Sequence, residues 1–374
     1  MTNRYYMPTK VFMGDECILE NSEVFKALGK KALIVTGAQS AKRNGSEKDV
    51  KNALDSVGIQ YQVFDKVMSN PTISCVYEGA SAARENGADF IIAIGGGSPL
   101  DAAKAIALLA AQTIEEGNLF SGNYQDKVLP MAFVPTTAGT GSEVTQYSIL
   151  TNDKAQTKTS IASDLIFPTI AFLDARYTEY LGVATTINTA IDALSHVVEG
   201  MLSVKASLIS DALAAAGIQR IMACVPILLQ AVRSGRERVF DLQHRQELLQ
   251  ASFMAGIVIA QTGTTAVHAM GYSLTYFQGI DHGRANGLLL GEYLKLVEKV
   301  RPDLAAKILN AMNFSQAEQF LELMNKLLGP KEDISRNDLE QYSKMAVQTK
   351  NIANCVVKPS EDDIRTMFIQ AFRQ

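Results

Sequence analysis

The feature that most limits how this chain can fold is a change in hydrophobic rhythm near residue 178. Before it, short apolar runs ended by breakers alternate with helical patterns. The runs cover residues 32–36 (stopped by Gly37), 61–64, 90–94, 131–135 and 170–173. Helical patterns fall at 23–28, at 47–56, from the Ser69-Asn70-Pro71-Thr72 turn to about Glu85, and at 98–111. A continuous apolar run marks a strand buried on both faces, as in a parallel sheet. Such strands alternating with helices predict a doubly wound, mostly parallel α/β domain over residues 1–180. Val11-Phe12-Met13, ended by Gly14, adds a short edge hairpin with Tyr5-Tyr6. From residue 186 onward no strand pattern is visible. Residues 206–223, 245–260, 284–299, 303–311, 315–328, 336–349 and 361–372 all carry helical spacing. The last opens on Ser360 followed by three acids, a helix start. Residues 181–374 are therefore expected to form an all-α domain.

Composition narrows the class. A chain of 374 residues with 47% hydrophobic and 20% charged residues is ordinary for a globular protein of two domains. Its net charge is −4, and Lys42-Arg43 is a pair rather than a basic patch, so no nucleic-acid partner is expected. The four cysteines are scattered without a CxxC, which suggests free thiols in a reducing compartment. The first six residues carry no signal-peptide core, and no apolar run approaches the roughly 18 residues of a membrane span. The expectation is a cytoplasmic protein with no membrane partner.

Three of the four histidines point to shared chemistry. Asp192 and His196 sit four residues apart in a run without Gly or Pro until Gly200, which reads as a helix. Both side chains then leave the same face. His268 and His282 follow about 70 and 90 residues later in short Gly-flanked or apolar contexts. One carboxylate with three imidazoles suits Fe(II), Zn(II) or Mn(II), with room for a substrate oxygen, and affinity order alone does not choose among them. His244 has polar neighbours and reads as a surface residue.

Two loops suggest a nucleotide. Gly95-Gly96-Gly97-Ser98 follows the strongest strand pattern directly and opens a helix. Glycines there let the backbone approach a pyrophosphate, met by free N–H groups and the helix dipole; a tight turn that needs glycine is the plainer alternative. The spacing is not G-x-G-x-x-G, and the loop follows the third strand rather than the first. Asp101 and Lys104 lie one helical turn apart just beyond. Asp101 is a candidate to bond the nicotinamide amide or the phosphates, or an ordinary acid at a helix start. Pro135-Thr136-Thr137-Ala138-Gly139-Thr140-Gly141-Ser142-Glu143 offers many O–H and N–H donors to ribose and phosphate.

These stretches resemble the signatures of the iron-containing (group III) alcohol dehydrogenases: residues 95–104, residues 135–145, Asp192-Ala193-Leu194-Ser195-His196, and His282-Gly283 followed by Asn286. The similarity runs from Met7 to about residue 300 and loosens afterwards. It implies a dehydroquinate synthase-like architecture, with an N-terminal Rossmann-like domain, a helical C-terminal domain, a cleft between them and commonly a homodimer. It implies that Asp192, His196, His268 and His282 are the metal ligands and catalytic centre, with Fe(II) first and Zn(II) as the alternative. It places Gly37, Ser40, Asn70, Gly95, Gly96, Gly97, Ser98, Asp101, Thr136, Thr137, Thr140, Ser142, Lys158 and Leu181 at the nucleotide, and Tyr147, Ile259, Thr264 and Tyr272 at the substrate pocket.

Many relatives carry an acid after the first parallel strand that binds the adenosine ribose and selects NAD. Here that position is Gly37, followed by Ser40, Lys42 and Arg43, which suit a 2′-phosphate. The pattern resembles the NADP-using members, so NADP(H) is favoured over NAD(H), with Asp65 at the end of the next strand a weaker competitor. The implied reaction is hydride transfer between a primary alcohol and NADP, or its reverse with an aldehyde. Some relatives have a further histidine where this chain has Tyr272, so a proton relay there runs through the phenol, water or ribose. Gly291 replaces a usual Pro, and Cys355-Val356-Val357-Lys358-Pro359 lacks the usual Asn-Pro-Arg. The alternatives are an NAD-dependent polyol dehydrogenase of the glycerol type, a dehydroquinate synthase, and a non-catalytic nucleotide- or metal-binding protein. The second needs convergent Lys and Arg near the metal, where only Arg284 falls.

Overall fold

A computed structural model describes residues 4–236 and 239–372. Residues 1–3, part of the segment read as lacking a leader, lie outside the described residues. The chain divides into two compact units, Met7–Tyr180 and Leu181–Gln374 with Met1–Tyr6.

The first unit contains eight strands: β1 (Lys10–Met13), β2 (Lys31–Thr36), β3 (Gln60–Phe64), β4 (Phe90–Gly95), β5 (Met131–Pro135), β6 (Tyr147–Asn152), β7 (Thr157–Ala162) and β8 (Ile170–Leu173). Six of them form one parallel sheet in the order β1-β8-β5-β4-β2-β3, and all five predicted strands are in it. Successive residues of the central strands go to opposite faces, and both faces are covered. Leu33, Val35, Ile91, Ala93 and Phe133 pack with residues of α2 (Ile73–Glu85) and α3 (Gly97–Ala111), and Ala32, Ile34, Ile92 and Phe172 pack with Val50 and Leu54 of α1 (Ser46–Ser56). Burying each of the larger side chains is worth roughly 1.5–3 kcal/mol, which is why the runs are continuously apolar.

The chain winds outward from β2 to β3, returns across β2 to β4, and continues to β5 and β8. Winding therefore reverses between β2 and β4, and in open α/β sheets ligands bind outside the carboxyl ends of the strands at such a point. Thr36 pairs with Ile94 and Gly95 with Pro135, so β2, β4 and β5 end nearly level. The Gly37 turn, the glycine loop and the threonine loop leave the sheet side by side.

Two local expectations are corrected. Val11-Phe12-Met13 is a parallel edge strand on β8, not a hairpin with Tyr5-Tyr6. Met7-Pro8-Thr9 makes no reversal: Thr9 donates to the Pro168 carbonyl at 2.7 Å, and the Tyr6 backbone bonds the Gln261 side chain. The helical pattern at 23–28 is a 3₁₀ helix, Ser22–Ala27. The antiparallel pair β6–β7 was not anticipated, because β7 is a polar strand.

In the second unit the described residues form no strand. Its helices include α4 (Val183–Met201), α5 (Leu208–Ser234), α6 (Leu242–Thr262), α7 (Ala266–Gln278) and α8 (His282–Val300), followed by Pro302–Ala311, Ala317–Leu328, Arg336–Val347 and Glu361–Ala371. Helix α5 continues through Pro226, beyond the predicted end at residue 223. It also corrects the reading that no apolar run nears span length. An 18-residue window of α5 has mean hydropathy 1.8, a third of it buried, so by length and composition it is apolar enough to cross a membrane; α6 and α7, bent by 110°, qualify as a pair. Gln219 and Arg220 interrupt the run, yet the window that contains them still averages 1.8. In the fold, Ala214, Gly217, Ile218, Ile221, Cys224 and Leu228 make a buried stripe at helical spacing. A Cβ on Gly217 would stand 3.1 Å from Val197 of α4 and 3.7 Å from Met254 of α6, so these helices pack closely.

Candidate metal centre and nucleotide loops

In the second unit, three helices each present ligand-type side chains. Asp192 and His196 leave the buried face of α4, both 4% exposed. His268 stands in the first turn of α7, and His282 opens α8 behind its N-cap, Asp281. Asp192 Oδ1 lies 3.9 Å from His196 Nε2, 4.0 Å from His268 Nε2 and 3.9 Å from His282 Nε2. The ligand atoms of Asp192, His196 and His268 are all within 4.8 Å of one another; His282 is not in that mutually close trio. The His196 and His268 rings stack at 4.8 Å, and His268 meets His282 edge-on at 5.1 Å.

A tetrahedral shell with bonds of about 2.0–2.2 Å has ligand atoms about 3.3–3.6 Å apart. The three edges that meet at Asp192 Oδ1 are about half an ångström longer. One carboxylate and three imidazoles converging in a buried place form a donor set that fits a borderline divalent cation. Burial opposes the Asp192 charge, yet His196, His282, His268 and the Asn286 amide hold the carboxyl below the usual range.

Close packing of α8 on α4 depends on Gly283. A Cβ there would overlap the Asn188 carbonyl oxygen and would stand 3.1 Å from the Asp192 Cβ. Two further residues, neither assigned a role from sequence, hold the ligands. Asn286 places Nδ2 at 3.1 Å from Asp192 Oδ1, 3.2 Å from His268 Nε2 and 3.3 Å from His282 Nε2. Glu199, fully buried one turn after His196, pairs through Oε2 with His268 Nδ1. A lone acid in the apolar Val197-Val198-Glu199-Gly200 was the only available signal.

Of the predicted pocket residues, Tyr272 is beside the ligands: its ring stacks parallel on His282 at 5.8 Å. Ile259 is buried in α6, and the Thr264 hydroxyl accepts from Asn351 at 2.7 Å. Tyr147 opens β6 in the first unit, where burial pushes its phenol up to about 12. His244 is at the surface, bonded to Asp241.

In the first unit, Gly95 has φ +151°, which favours glycine, and Gly96 caps α3 without any side-chain acceptor. A Cβ on Gly96 would stand 3.0 Å from Thr137, and one on Gly97 2.7 Å from Thr140. The glycines at 96 and 97 therefore admit the threonine loop. Ser98 Oγ accepts from the Asn70 N–H at 3.1 Å, with Asn70 itself at φ 57°, and the Thr151 hydroxyl donates to the Asn70 carbonyl. The Thr136 N–H donates to Gly95 O at 2.9 Å.

Ser142 donates to Asp101 at 2.6 Å and accepts from Lys104 at 2.8 Å, while Asp101 also accepts from the Ile149 N–H at 3.1 Å. Lys104 is fully buried and donates further to Thr145 and the Tyr147 carbonyl. Burial pushes its amine down to about 8, against the pull of Asp101 and Glu143, and burial pushes Glu143 up to about 7. Lys158, on β7, adds positive charge near Asp101. Beyond Gly37, the short helix Ser40–Arg43 exposes Ser40, Lys42 and Arg43, and Lys42 is paired with Asp65 at 2.7 Å. Leu181 belongs to the other unit, where its carbonyl accepts from Arg245 at 3.0 Å.

The iron-containing alcohol dehydrogenase family matches residues 8–175, and the C-terminal domain of the same family matches residues 186–372. The 1,3-propanediol dehydrogenase of Klebsiella pneumoniae is 31% identical across 98% of both chains. Alcohol dehydrogenase 4 of Saccharomyces cerevisiae is 33% identical over 76% of this chain and 73% of its own. The crystal structure of an iron-containing alcohol dehydrogenase from Thermotoga maritima superposes with a TM-score of 0.90 at 36% identity, covering 99% of each chain. Both halves are thus matched by one family and the relatives extend over nearly the whole length, so the chain belongs to the iron-containing alcohol dehydrogenases, nicotinamide-dependent oxidoreductases that act on alcohols.

Proposed function

We propose that the protein interconverts a short primary alcohol and its aldehyde using NADP(H), with a divalent iron held by Asp192, His196, His268 and His282. The observation that carries this reading is one Asp192 oxygen lying 3.9–4.0 Å from three imidazole Nε2 atoms. A divalent cation so held acts as a Lewis acid toward the alcohol hydroxyl or the aldehyde carbonyl. Asp192, His196 and His268 exclude water from three sides by their burial, whereas the His282 side chain is 26% exposed and marks the side of substrate approach. Tyr272, stacked on His282, borders that side and carries a proton at its hydroxyl. The relatives named for alcohol and 1,3-propanediol support a small alcohol as substrate. Zn(II) is the alternative ion.

The glycine loop and the threonine loop take the dinucleotide phosphates and ribose, with Asn70, Ser98 and Lys158 beside them. NADP is supported by Gly37, which has no charge to repel a 2′-phosphate, and by exposed Ser40, Lys42 and Arg43. Lys42 has to exchange Asp65 for the phosphate. An exposed ion pair is weak, and a charge-assisted bond to a phosphate is stronger. A homodimer is supported by the family resemblance, and a cytoplasmic location by four buried free cysteines. A synthase-type lyase is disfavoured because Arg284 is turned to Glu332 at 2.6 Å and to the Leu328 and Pro330 carbonyls.

The test is NADPH oxidation with a panel of short aldehydes, using chelated protein with and without Fe(II) or Zn(II), beside His196→Ala. Turnover restored by one ion and absent in the variant is expected. Full activity in metal-free His196→Ala overturns the metal reading, and faster turnover with NADH overturns the cofactor.

A further inference from the structure

Glu199 is the most heavily bonded side chain beside the ligands. Its Oε1 accepts four bonds: from the Thr265 N–H at 2.8 Å, the Thr265 hydroxyl at 2.7 Å, the Val267 N–H at 3.1 Å and the His268 N–H at 3.3 Å. Three of these are backbone groups at the start of α7, whose N-cap Thr265 makes no side-chain cap of its own. Glu199 Oε1 thus caps α7 from α4, 66 residues away. Its Oε2 faces His268 Nδ1. Burial opposes the charge, but His268 and the Thr265 bonds hold the carboxyl below its usual range.

A neutral imidazole carries its proton on one nitrogen only, and a carboxylate is acceptor-only. With Oε2 against it, Nδ1 has to be the donor. Nε2 keeps its lone pair, which faces the Asn286 amide nitrogen at 3.2 Å, with Asp192 Oδ1 4.0 Å away. The partner of the far ring nitrogen fixes the ligating one. We propose that Glu199 is a positioning residue that selects the ligating tautomer of His268 while capping the helix that carries it. The proposal rests on the metal reading above.

The two roles fall on different oxygens, so one substitution separates them. In Glu199→Gln, the amide oxygen takes the Oε1 place, because four donors face it there. The NH₂ then faces His268 Nδ1, which has to accept, and the proton moves to Nε2, the atom needed for the ion. Glu199→Ala removes the cap and the orientation together.

The experiment compares wild type, E199Q, E199A and His196→Ala. Affinity for Zn(II) and Fe(II) is measured by chelator competition, melting is followed on metal-free protein, and the His268 tautomer is read from long-range ¹H–¹⁵N spectra of metal-free protein. E199Q is expected to melt with wild type, to hold metal about 10–100-fold more weakly, and to carry its His268 proton on Nε2. E199A is expected to melt earlier. Wild-type affinity or an unchanged Nδ1–H tautomer in E199Q overturns the proposal, as does an E199Q that melts as early as E199A. If wild type holds no more metal than His196→Ala, the metal reading fails instead, and the metal-free spectra still decide what Glu199 does to His268.

Discussion

Gly283→Ala tests the link between helix packing and the ligand set with one methyl group. The new Cβ would overlap the Asn188 carbonyl oxygen, its nearest neighbour, and would lie 2.7 Å from the carbon of that carbonyl and 3.1 Å from the Asp192 Cβ. Carbon atoms rest at about 3.5–4.0 Å and the overlap with the Asn188 oxygen is tighter still, so the start of α8 has to retreat from α4 by more than about 1 Å. His282, the preceding residue, moves with it, and its present 3.9 Å separation from Asp192 Oδ1 grows toward roughly 5 Å. Metal bonds tolerate about 0.2 Å, so the fourth ligand is lost. Overpacking costs about 1–3 kcal/mol, partly offset by the better helix propensity of alanine. A net loss of about 1–2 kcal/mol in a domain of this size lowers Tm by about 2–8 °C. Differential scanning fluorimetry of metal-free protein and iron content after dialysis are the assays. Gly117→Ala, whose Cβ would meet nothing within 4 Å, is the control. A Gly283→Ala protein with wild-type Tm and a full equivalent of iron refutes the packing argument.

Other expectations concern the first unit. Burial raises Glu143 from an ordinary value of 4.5 to about 7, so the folded chain holds the extra proton between those values and stability falls as pH rises through that window. Glu143→Gln should therefore exceed wild type by about 1–3 kcal/mol at pH 8 and match it at pH 4.5 in urea titrations; equal curves at both pH values contradict this. Lys104 is depressed from 10.5 to about 8, which gives the opposite sign: its cost is relieved as pH rises from 8 to 10.5. Lys104→Met removes the anchor of Ser142 and Thr145 and should raise KM for the nicotinamide roughly tenfold, about 1.4 kcal/mol, with a smaller change in kcat. Lys42→Ala should lower kcat/KM for NADPH roughly tenfold and leave NADH unchanged; an equal loss with both removes Lys42 from cofactor choice.

What was legible in the sequence followed from burial symmetry. Residues 32–36, 90–94 and 131–135 read as parallel strands because both of their faces are covered, which forces continuous apolar runs. The edge strand Lys10–Met13 was misread because its partner lies some 160 residues away and no local turn announces it. Helix α7 was missed because it is apolar on most sides and contains Gly271. The ligand-type residues were visible as rare types in motifs. Their supports were not: Glu199 and Asn286 act on groups 66 and 94 residues distant, which spacing cannot reveal. Asp101 and Ser142 were read as separate cofactor contacts, and the fold bonds them to each other across 41 residues.

The central claim is that Asp192, His196, His268 and His282 hold one divalent ion. Anomalous diffraction at the iron edge from crystals of iron-loaded protein tests it most directly. The account predicts a single strong peak about 2.0–2.2 Å from a carboxylate oxygen of Asp192 and from Nε2 of each histidine. A peak elsewhere, or none at those four side chains at full iron loading, contradicts it.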